Sequence, residues 1–229
     1  KTWITNSPIA DVAVVWARDT SAEDNPVRGF LVETDRDGVT TNKIEDKLSL
    51  RASITGEIGL NNVEIPEENV LPGVSGMKGP LGCLTQARYG IAWGAVGAAR
   101  DCFEVARQYA TDREQFDTPI ASFQMQQDKL AEMATQISLA QLLAYRLAEL
   151  KEQGRMRPPH VSMAKRNNVR MARNQSRIAR EMLGGNGITT DYSPMRHMQN
   201  LETVYTYEGT HDIHTLILGE ELTGFQAYF

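Results

Sequence analysis

The stretch Arg88-Tyr89-Gly90-Ile91-Ala92-Trp93-Gly94-Ala95-Val96-Gly97-Ala98-Ala99-Arg100-Asp101-Cys102 decides the fold class. Ile91, Ala95, Ala98 and Cys102, continued by Val105 and Tyr109, alternate by four and three, the step of one face of an α-helix. The same step recurs in Leu130, Met133, Ile137, Ala140, Ala144 and Leu147. It recurs again, with two polar interruptions, in Val161, Ala164, Asn168, Met171, Gln175, Ile178 and Met182. Ile213, Leu216 and Ile217 mark a shorter helix. Gly154 and Pro158-Pro159 separate the second stripe from the third, and Leu183-Gly184-Gly185-Asn186-Gly187 ends the third, because glycine supplies the left-handed backbone that closes a helix. Three long helices and a shorter one, joined by brief polar connections, predict an antiparallel four-helix bundle over residues 76–229.

Upstream of residue 75 the period changes. Val12 to Trp16 and Gly29 to Glu33 are short β-rich runs, with turn signals at Asp37-Gly38, and Ile54 to Ile65 reads as a pair of strands around Asn61-Asn62. Residues 1–75 are therefore expected to form part of an antiparallel β-barrel or sandwich, and the chain as a whole an α+β fold. Residues 66–82, with Pro66, Pro72 and Pro80 among glycines at 73, 76, 79 and 82, read as a mobile linker; the three-residue glycine period is too short for collagen. No βαβ alternation is present, and the glycine run at 184–187 follows a helix and lacks the dinucleotide spacing, so a Rossmann site is not expected. Lys1-Thr2-Trp3-Ile4-Thr5 has no initiator Met and no leader pattern; it reads like the middle of a domain, so an upstream extension is expected.

A net charge of −5 over 229 residues disfavours global attraction to nucleic acid or an anionic membrane. Two cysteines, Cys83 and Cys102, with no close pairing, read as buried free thiols in a reducing compartment rather than a disulfide or zinc framework. No apolar run approaches the roughly 18 residues of a membrane span.

Chemistry points to Thr206-Tyr207-Glu208-Gly209-Thr210-His211-Asp212-Ile213-His214. Glu208 stands just before a helix that Thr210 is placed to cap, where a carboxylate can project into a cleft; the simpler reading is an acid complementing the helix dipole. Tyr207-Glu208-Gly209-Thr210, Leu183 to Gly187, Arg113-Glu114-Gln115-Phe116 and Trp3-Ile4-Thr5-Asn6, in this order, resemble the acyl-CoA dehydrogenases over the whole chain. Each motif is weak singly; together they are specific. Arg88 to Gly94 and Tyr207 to His214 resemble the glutaryl-CoA branch.

The resemblance implies an N-terminal helical domain absent from this chain, a middle β domain that is N-terminally incomplete here, and the helical bundle. It implies FAD as cofactor and an acyl-CoA substrate. Glu208 is implied as the base that removes the α-proton while the β-hydride passes to FAD, the enolate oxygen being met by the backbone N–H of Glu208 and a ribityl hydroxyl. For glutaryl-CoA, decarboxylation to crotonyl-CoA and CO2 follows, a reaction of lysine and tryptophan degradation, with protonated Glu208 returning the proton. Trp3, Ile4 and Thr5 are implied at the isoalloxazine, Thr210 and Tyr228 as further flavin contacts, and Arg113, Gln124, Glu181, Met182, Leu183, Gly184 and Gly185 at the pyrophosphate and adenosine end from a neighbouring subunit. Leu81, Gly82, Cys83, Leu84, Thr85, Gln86, Ala87 and Arg88 are implied to line the acyl-CoA channel, with Tyr207 and Gly209 beside the acyl chain and thioester. Electron-transfer flavoprotein is the implied acceptor, a homotetramer the implied assembly, and bacterial cytoplasm or mitochondrial matrix the implied soluble compartment. Glu181, where many relatives have Gln, is a departure awkward beside phosphate; Ile188 and Gln199-Asn200 depart too. Residues 85–89 contain no carboxylate, which leaves Glu208 as the base.

Other patterns are read blandly. His211 and His214, three apart, lack a third ligand and read as surface or interface histidines rather than a metal pair. Arg166, Arg170, Arg173, Arg177 and Arg180 read as a solvated or intersubunit ion-pairing face. Ser-x-x-Lys at Ser75–Lys78 and again at Ser162–Lys165 shows how cheap that pattern is, and no G-x-S-x-G is present. An ordinary short-chain fatty acyl-CoA dehydrogenase and a non-catalytic scaffold on the same fold are the alternatives to the decarboxylating enzyme.

Overall fold

The computed structural model describes residues 1–227. The expected flavin contact Tyr228 lies outside them. The chain divides into two compact units, Lys1–Leu84 and Thr85–Phe229.

The first unit holds β1 (Ile4–Thr5), β2 (Val12–Arg18), β3 (Val27–Glu33), β4 (Val39–Lys43) and β5 (Thr55–Leu60). β2 and β3 form an antiparallel hairpin in register from Val12 opposite Glu33 to Arg18 opposite Val27. A second antiparallel sheet has the order β1-β5-β4. Val15 on β2, Val32 on β3 and Ile58 on β5 are the buried apolar residues of this unit's strands. The strand expected after Asn61-Asn62 does not form: β5 ends at Leu60, both its edges are taken by β1 and β4, and Asn62 turns the chain with a left-handed φ of 51°. β4 escapes sequence reading because Thr40-Thr41-Asn42-Lys43 carries no apolar alternation.

The stretch expected to be a mobile linker is ordered. Leu71 N–H donates to Gly29 O at 2.9 Å and Gly76 N–H to Val27 O at 2.8 Å, strapping the chain along β3. Helix α1 (Lys78–Asp112) then begins inside it. Pro80 is tolerated because the first four N–H groups of a helix have no intrahelical acceptor.

The second unit continues α1 and adds a two-strand hairpin of β6 (Glu114–Gln115) and β7 (Thr118–Pro119), then α2 (Gln124–Glu152), α3 (Pro158–Met182), α4 (Pro194–Thr206) and α5 (His211–Thr223). The second and third stripes bury as read, from Met133 to Leu147 and from Val161 to Met182. On α1 the buried residues are Ala92, Ala95, Val96, Ala99, Cys102, Ala106 and Ala110; of the expected stripe Ala95 and Cys102 are among them, while Ile91, Val105 and Tyr109 pack half-buried beside this mostly alanine line. Asn168, a polar interruption of the third stripe, is fully buried; its Nδ2 donates to the carbonyls of Ala92 and Ala140, both at 3.0 Å. Among the described residues there are five α-helices where four were expected. The additional one, α4, has Met195, Met198, Leu201 and Val204 at three-residue steps, but only Pro194 and Leu201 are buried.

Candidate active site

Glu208 sits in a four-residue connection, Tyr207 to Thr210, between α4 and α5. Tyr207 closes α4, Glu208 and Gly209 both take left-handed backbone at φ 55° and 85°, and Thr210 caps α5 by accepting the Ile213 N–H on its Oγ1 at 3.2 Å. Two successive left-handed residues reverse the chain in minimal length. At Gly209 a Cβ would come to 3.1 Å from both Arg88 Nη2 and His214 Nε2, so a side chain there would crowd both groups in addition to straining the left-handed φ.

Three consecutive carbonyls of this connection turn into the helices. Lys165 Nζ on α3 donates to Tyr207 O at 2.9 Å and to Gly209 O at 2.8 Å. Arg88 Nε on α1 donates to Glu208 O at 2.7 Å. His214 Nε2 lies 3.2 Å from the same Glu208 oxygen, and its Nδ1 lies 3.0 Å from Ser162 Oγ. A carbonyl only accepts, so Nε2 carries the proton; in the neutral ring Nδ1 then accepts from the Ser162 hydroxyl. Within a trans peptide C=O and N–H point in opposite directions. The N–H groups of Glu208 and Gly209 therefore face away from Lys165, Arg88 and His214.

Lys165, Ser162 and His214 are each at most 1% exposed. Burial pushes the Lys165 ammonium down to about 8, with repulsion from Arg88 adding and attraction to Glu208 opposing. Burial first, then Lys165 and Arg88, push His214 down to about 4. Arg88 is lowered by burial and partly restored by Glu208. His214 is thus a neutral core residue, not the surface or interface histidine expected. His211, partly exposed, stacks on Tyr205 with ring centroids 4.6 Å apart. The Glu208 carboxylate is half-buried, and its Oε2 is sealed from solvent with no hydrogen-bond partner among the described residues.

Of the expected acyl-CoA channel, the second unit joins Arg88 to Glu208 and Gly209. Along α1, Leu81, Gly82, Cys83, Gln86 and Ala87 are exposed and Leu84, Thr85 and Arg88 half-buried, so Cys102 is the buried thiol expected and Cys83 is not. Tyr207 is 39% exposed.

The expected cofactor residues gather in part. Arg113, Met182, Leu183, Gly184 and Gly185 line one cleft of ≈ 340 Å³ with Tyr109, Gln115, Ile120 and Asn186. Gln124 stands at the start of α2, outside that lining. Gly184 supplies the left-handed φ of 58° that ends α3. Glu181 is neutralised by Lys129, Nζ to Oε1 3.0 Å, which removes the conflict its charge would pose beside a phosphate. Among the described residues no carboxylate lies within ion-pair distance of Arg113. A free guanidinium beside open glycine backbone fits a pyrophosphate-bearing group. In the first unit, Trp3 is 65% exposed with φ 64°, and Ile4 and Thr5 line a cavity of ≈ 320 Å³ with residues of β2.

The arginine face of α3 pairs within the chain: Arg173 and Arg177 reach Glu202, and Arg166 donates to Thr215. Among the described residues no helix is long and apolar enough to cross a membrane, and no group of three His, Cys, Asp or Glu is placed to hold a metal ion. Sequence reasoning passed over Ser162, Lys165 and His214. A lysine adjoining the apolar stripe of α3, four residues after Val161 and three before Asn168, was the available signal.

Residues 1–63 match the family profile described as acyl-CoA dehydrogenase, middle domain, and residues 75–223 that described as acyl-CoA dehydrogenase, C-terminal domain. Glutaryl-CoA dehydrogenase of Desulfococcus multivorans is 37% identical over 98% of this chain and 58% of its own length. The mitochondrial short/branched chain specific acyl-CoA dehydrogenase of Bos taurus is also 37% identical, over 93% of this chain and 50% of its length. Two crystal structures of glutaryl-CoA dehydrogenase from Mycobacterium smegmatis, one in complex with FADH2, superpose with a TM-score of 0.96 at 51% and 48% identity, covering 100% of this chain and 58% of theirs. This chain spans between half and three-fifths of the length of these relatives. The chain belongs to the acyl-CoA dehydrogenase family, whose members depend on FAD.

Proposed function

We propose that the protein containing this chain oxidises glutaryl-CoA and decarboxylates the product to crotonyl-CoA and CO2, with Glu208 as catalytic base. The observation that carries the reading is the Glu208 carboxylate, whose buried Oε2 has no hydrogen-bond partner among the described residues. A structural carboxylate would find partners; one reserved for a substrate proton stays free.

In this reading Glu208 takes the α-proton of the acyl thioester. The main-chain N–H of Glu208, facing away from Lys165, donates to the thioester oxygen as negative charge builds on it. FAD, when bound, supplies the acceptor for the β-hydride. Glu208, now protonated, waits while the γ-carboxylate leaves as CO2 and its electron pair enters the conjugated thioester; it then returns its proton to the dienolate. Arg88 and Gly209 flank the thioester, Tyr207 borders the acyl chain, and Leu81 to Ala87 form the channel wall. Arg113, Gln124 and Glu181 to Gly185 hold the pyrophosphate and adenosine end of FAD, with Glu181 contributing through its backbone. Trp3, Ile4 and Thr5 meet the isoalloxazine, and the Thr210 hydroxyl, whose oxygen accepts the cap bond, still has a proton to give the flavin.

The same reading carries a four-helix bundle core with a β-barrel middle domain, a homotetramer, electron-transfer flavoprotein as acceptor and a soluble location in bacterial cytoplasm or mitochondrial matrix. The 37% identity to a short/branched chain enzyme supports a second reading, dehydrogenation without decarboxylation. The test is flavin bleaching and CO2 release on adding glutaryl-CoA to the whole protein loaded with FAD, with Glu208→Gln alongside. Bleaching and CO2, both lost in the variant, support the decarboxylating enzyme. Bleaching by butyryl-CoA alone moves the assignment to the second reading, and no response to any acyl-CoA leaves a scaffold.

A further inference from the structure

We infer that Lys165 and His214 are positioning residues for Glu208: together they clamp the left-handed connection that carries the base and so fix where its carboxylate points. The inference rests on the reading of Glu208 as the base.

The backbone of Glu208 lies in a region that a non-glycine residue rarely adopts, and Gly209 extends it. Such a segment relaxes unless its surroundings over-determine it. Glu208 Oε2 is sealed from solvent, and the side-chain rotamers open to a residue depend on its backbone φ and ψ. What over-determines it is the row of carbonyls. Lys165 ties the oxygens on either side of Glu208, at 2.9 and 2.8 Å, and so spans the two rotations that set the Glu208 Cα–Cβ direction. His214 takes the middle oxygen from α5, opposite in chain order to Arg88 on α1. Ser162, one turn before Lys165 on α3, fixes the tautomer by donating to His214 Nδ1.

A solvated lysine would satisfy two carbonyls as well as a buried one, but a buried ammonium is retained only where its bonds define a geometry. Ser162 and His214 superficially form a nucleophile and base. At 1% and 0% exposure they meet no substrate, and the Ser162 proton is already committed to the ring. Their chemistry is to hold, not to react.

The clamp acts on the direction of a carboxylate, so its loss should slow proton abstraction while leaving binding intact. In the whole protein loaded with FAD, Lys165→Met keeps the side-chain volume and removes both hydrogen bonds. We expect flavin content and acyl-CoA KM within about threefold of wild type, and flavin reduction slowed on the order of 100-fold. An α-deuterium isotope effect on reduction should rise, because C–H cleavage becomes more fully rate-limiting. His214→Leu should slow reduction on the order of 10-fold, and His214→Gln, whose amide nitrogen reaches the position of Nε2, should restore it. Should Lys165→Met not fold, the Leu and Gln pair decides alone. Reduction rates and isotope effects unchanged in these variants, while Glu208→Gln is inactive, overturn the clamp and leave the base standing. Full activity of Glu208→Gln overturns the base itself, whatever Lys165→Met does.

Discussion

Arg88 Nε donates a 2.7 Å hydrogen bond to the main-chain carbonyl of Glu208, across 120 residues of sequence. The bond links the helix assigned to the acyl-CoA channel to the backbone of the proposed base. Arg88→Lys keeps the charge but not the planar fork whose Nε makes this bond while the terminal nitrogens remain available to substrate. A charged hydrogen bond to a buried carbonyl contributes about 1.5–3 kcal/mol. If that energy is spent on aligning the base, reduction by acyl-CoA slows by about 10- to 100-fold, measured by stopped-flow bleaching at saturating substrate. A rise in KM alone, with the limiting rate intact, would show that Arg88 serves binding and not alignment.

Gly209→Ala should be more damaging than its single methyl suggests. The residue has φ 85°, and the added Cβ would press on Arg88 Nη2 and His214 Nε2 at 3.1 Å. Left-handed strain costs about 1–3 kcal/mol, and both displaced groups hold Glu208. The expected outcome is a lower melting temperature together with loss of most activity. A variant as stable and as active as wild type would show that the connection has slack the geometry does not suggest.

His214 gives the fold a defined acid sensitivity. Its folded pKa is pushed down to about 4, by burial first and then by Lys165 and Arg88, against 6.5 for the free side chain. Between those values the unfolded chain binds the proton and the folded chain does not, so stability rises with pH through the window and falls on acidification from 6.5. Below about 4 both states are protonated and this contribution levels off. The loss amounts to about 3 kcal/mol when complete. Urea unfolding at a series of pH values should show a steeper decline for wild type than for His214→Gln, which has nothing to titrate there. Parallel curves would mean that His214 gains its proton in the fold without penalty. Lys165, at about 8 against 10.5, has the same sign in its own window, with stability rising between those values.

The helical half was legible because its core is written in large apolar side chains at a fixed step: Met133 to Leu147 and Val161 to Met182 bury as read. α1 was found but its buried line only in part, at Ala95 and Cys102, since that line is mostly alanine and periodicity is judged by the bulky residues flanking it. α4 was missed because a short helix lying on the surface of α3 buries only Pro194 and Leu201. β4 was missed for a related reason: its polar residues are paired through backbone, which leaves no side-chain signal. At the candidate site the Thr210 cap was readable from local chemistry, whereas Glu208 alone read as an acid complementing the helix dipole and was singled out as a base by the family resemblance. Lys165 and Ser162 were dismissed as a cheap pattern, because their partners, the carbonyls of Tyr207 and Gly209 and the ring of His214, lie more than 40 residues further along the chain, which no spacing within α3 reveals.

Asn168 offers a test of stability separate from the site. Its Nδ2 bonds carbonyls of two other helices, Ala92 on α1 and Ala140 on α2, from the buried face of α3. Each neutral bond contributes about 0.5–1.5 kcal/mol net, and leucine nearly conserves the volume. Asn168→Leu is therefore expected to lose about 2 kcal/mol in chemical denaturation while FAD content and substrate reduction persist. No loss, or a gain, would mean that apolar packing at this crossing outweighs both bonds, as happens when polar partners are replaced by groups of matching shape.

Arg113 separates cofactor binding from folding. Its guanidinium lines the cleft formed by Met182 to Asn186 and has no carboxylate partner among the described residues, so removing it breaks no ion pair within the chain. Phosphate attracts a guanidinium through paired charged hydrogen bonds, each stronger than a neutral one. Arg113→Ala in the whole protein should therefore leave the apoprotein's melting temperature within a degree or two, while FAD is lost on dilution and its Kd rises on the order of 10- to 100-fold. Arg113→Lys should recover part of the affinity, since the charge remains but the two-pronged geometry does not. The discriminating comparison is the thermal shift on adding FAD. Wild type should gain stability in proportion to the logarithm of free FAD, and Arg113→Ala should reach the same gain only at correspondingly higher FAD. An unchanged FAD titration in Arg113→Ala would remove this cleft from the cofactor site, and the glycine run ending α3 would then be explained by helix termination alone.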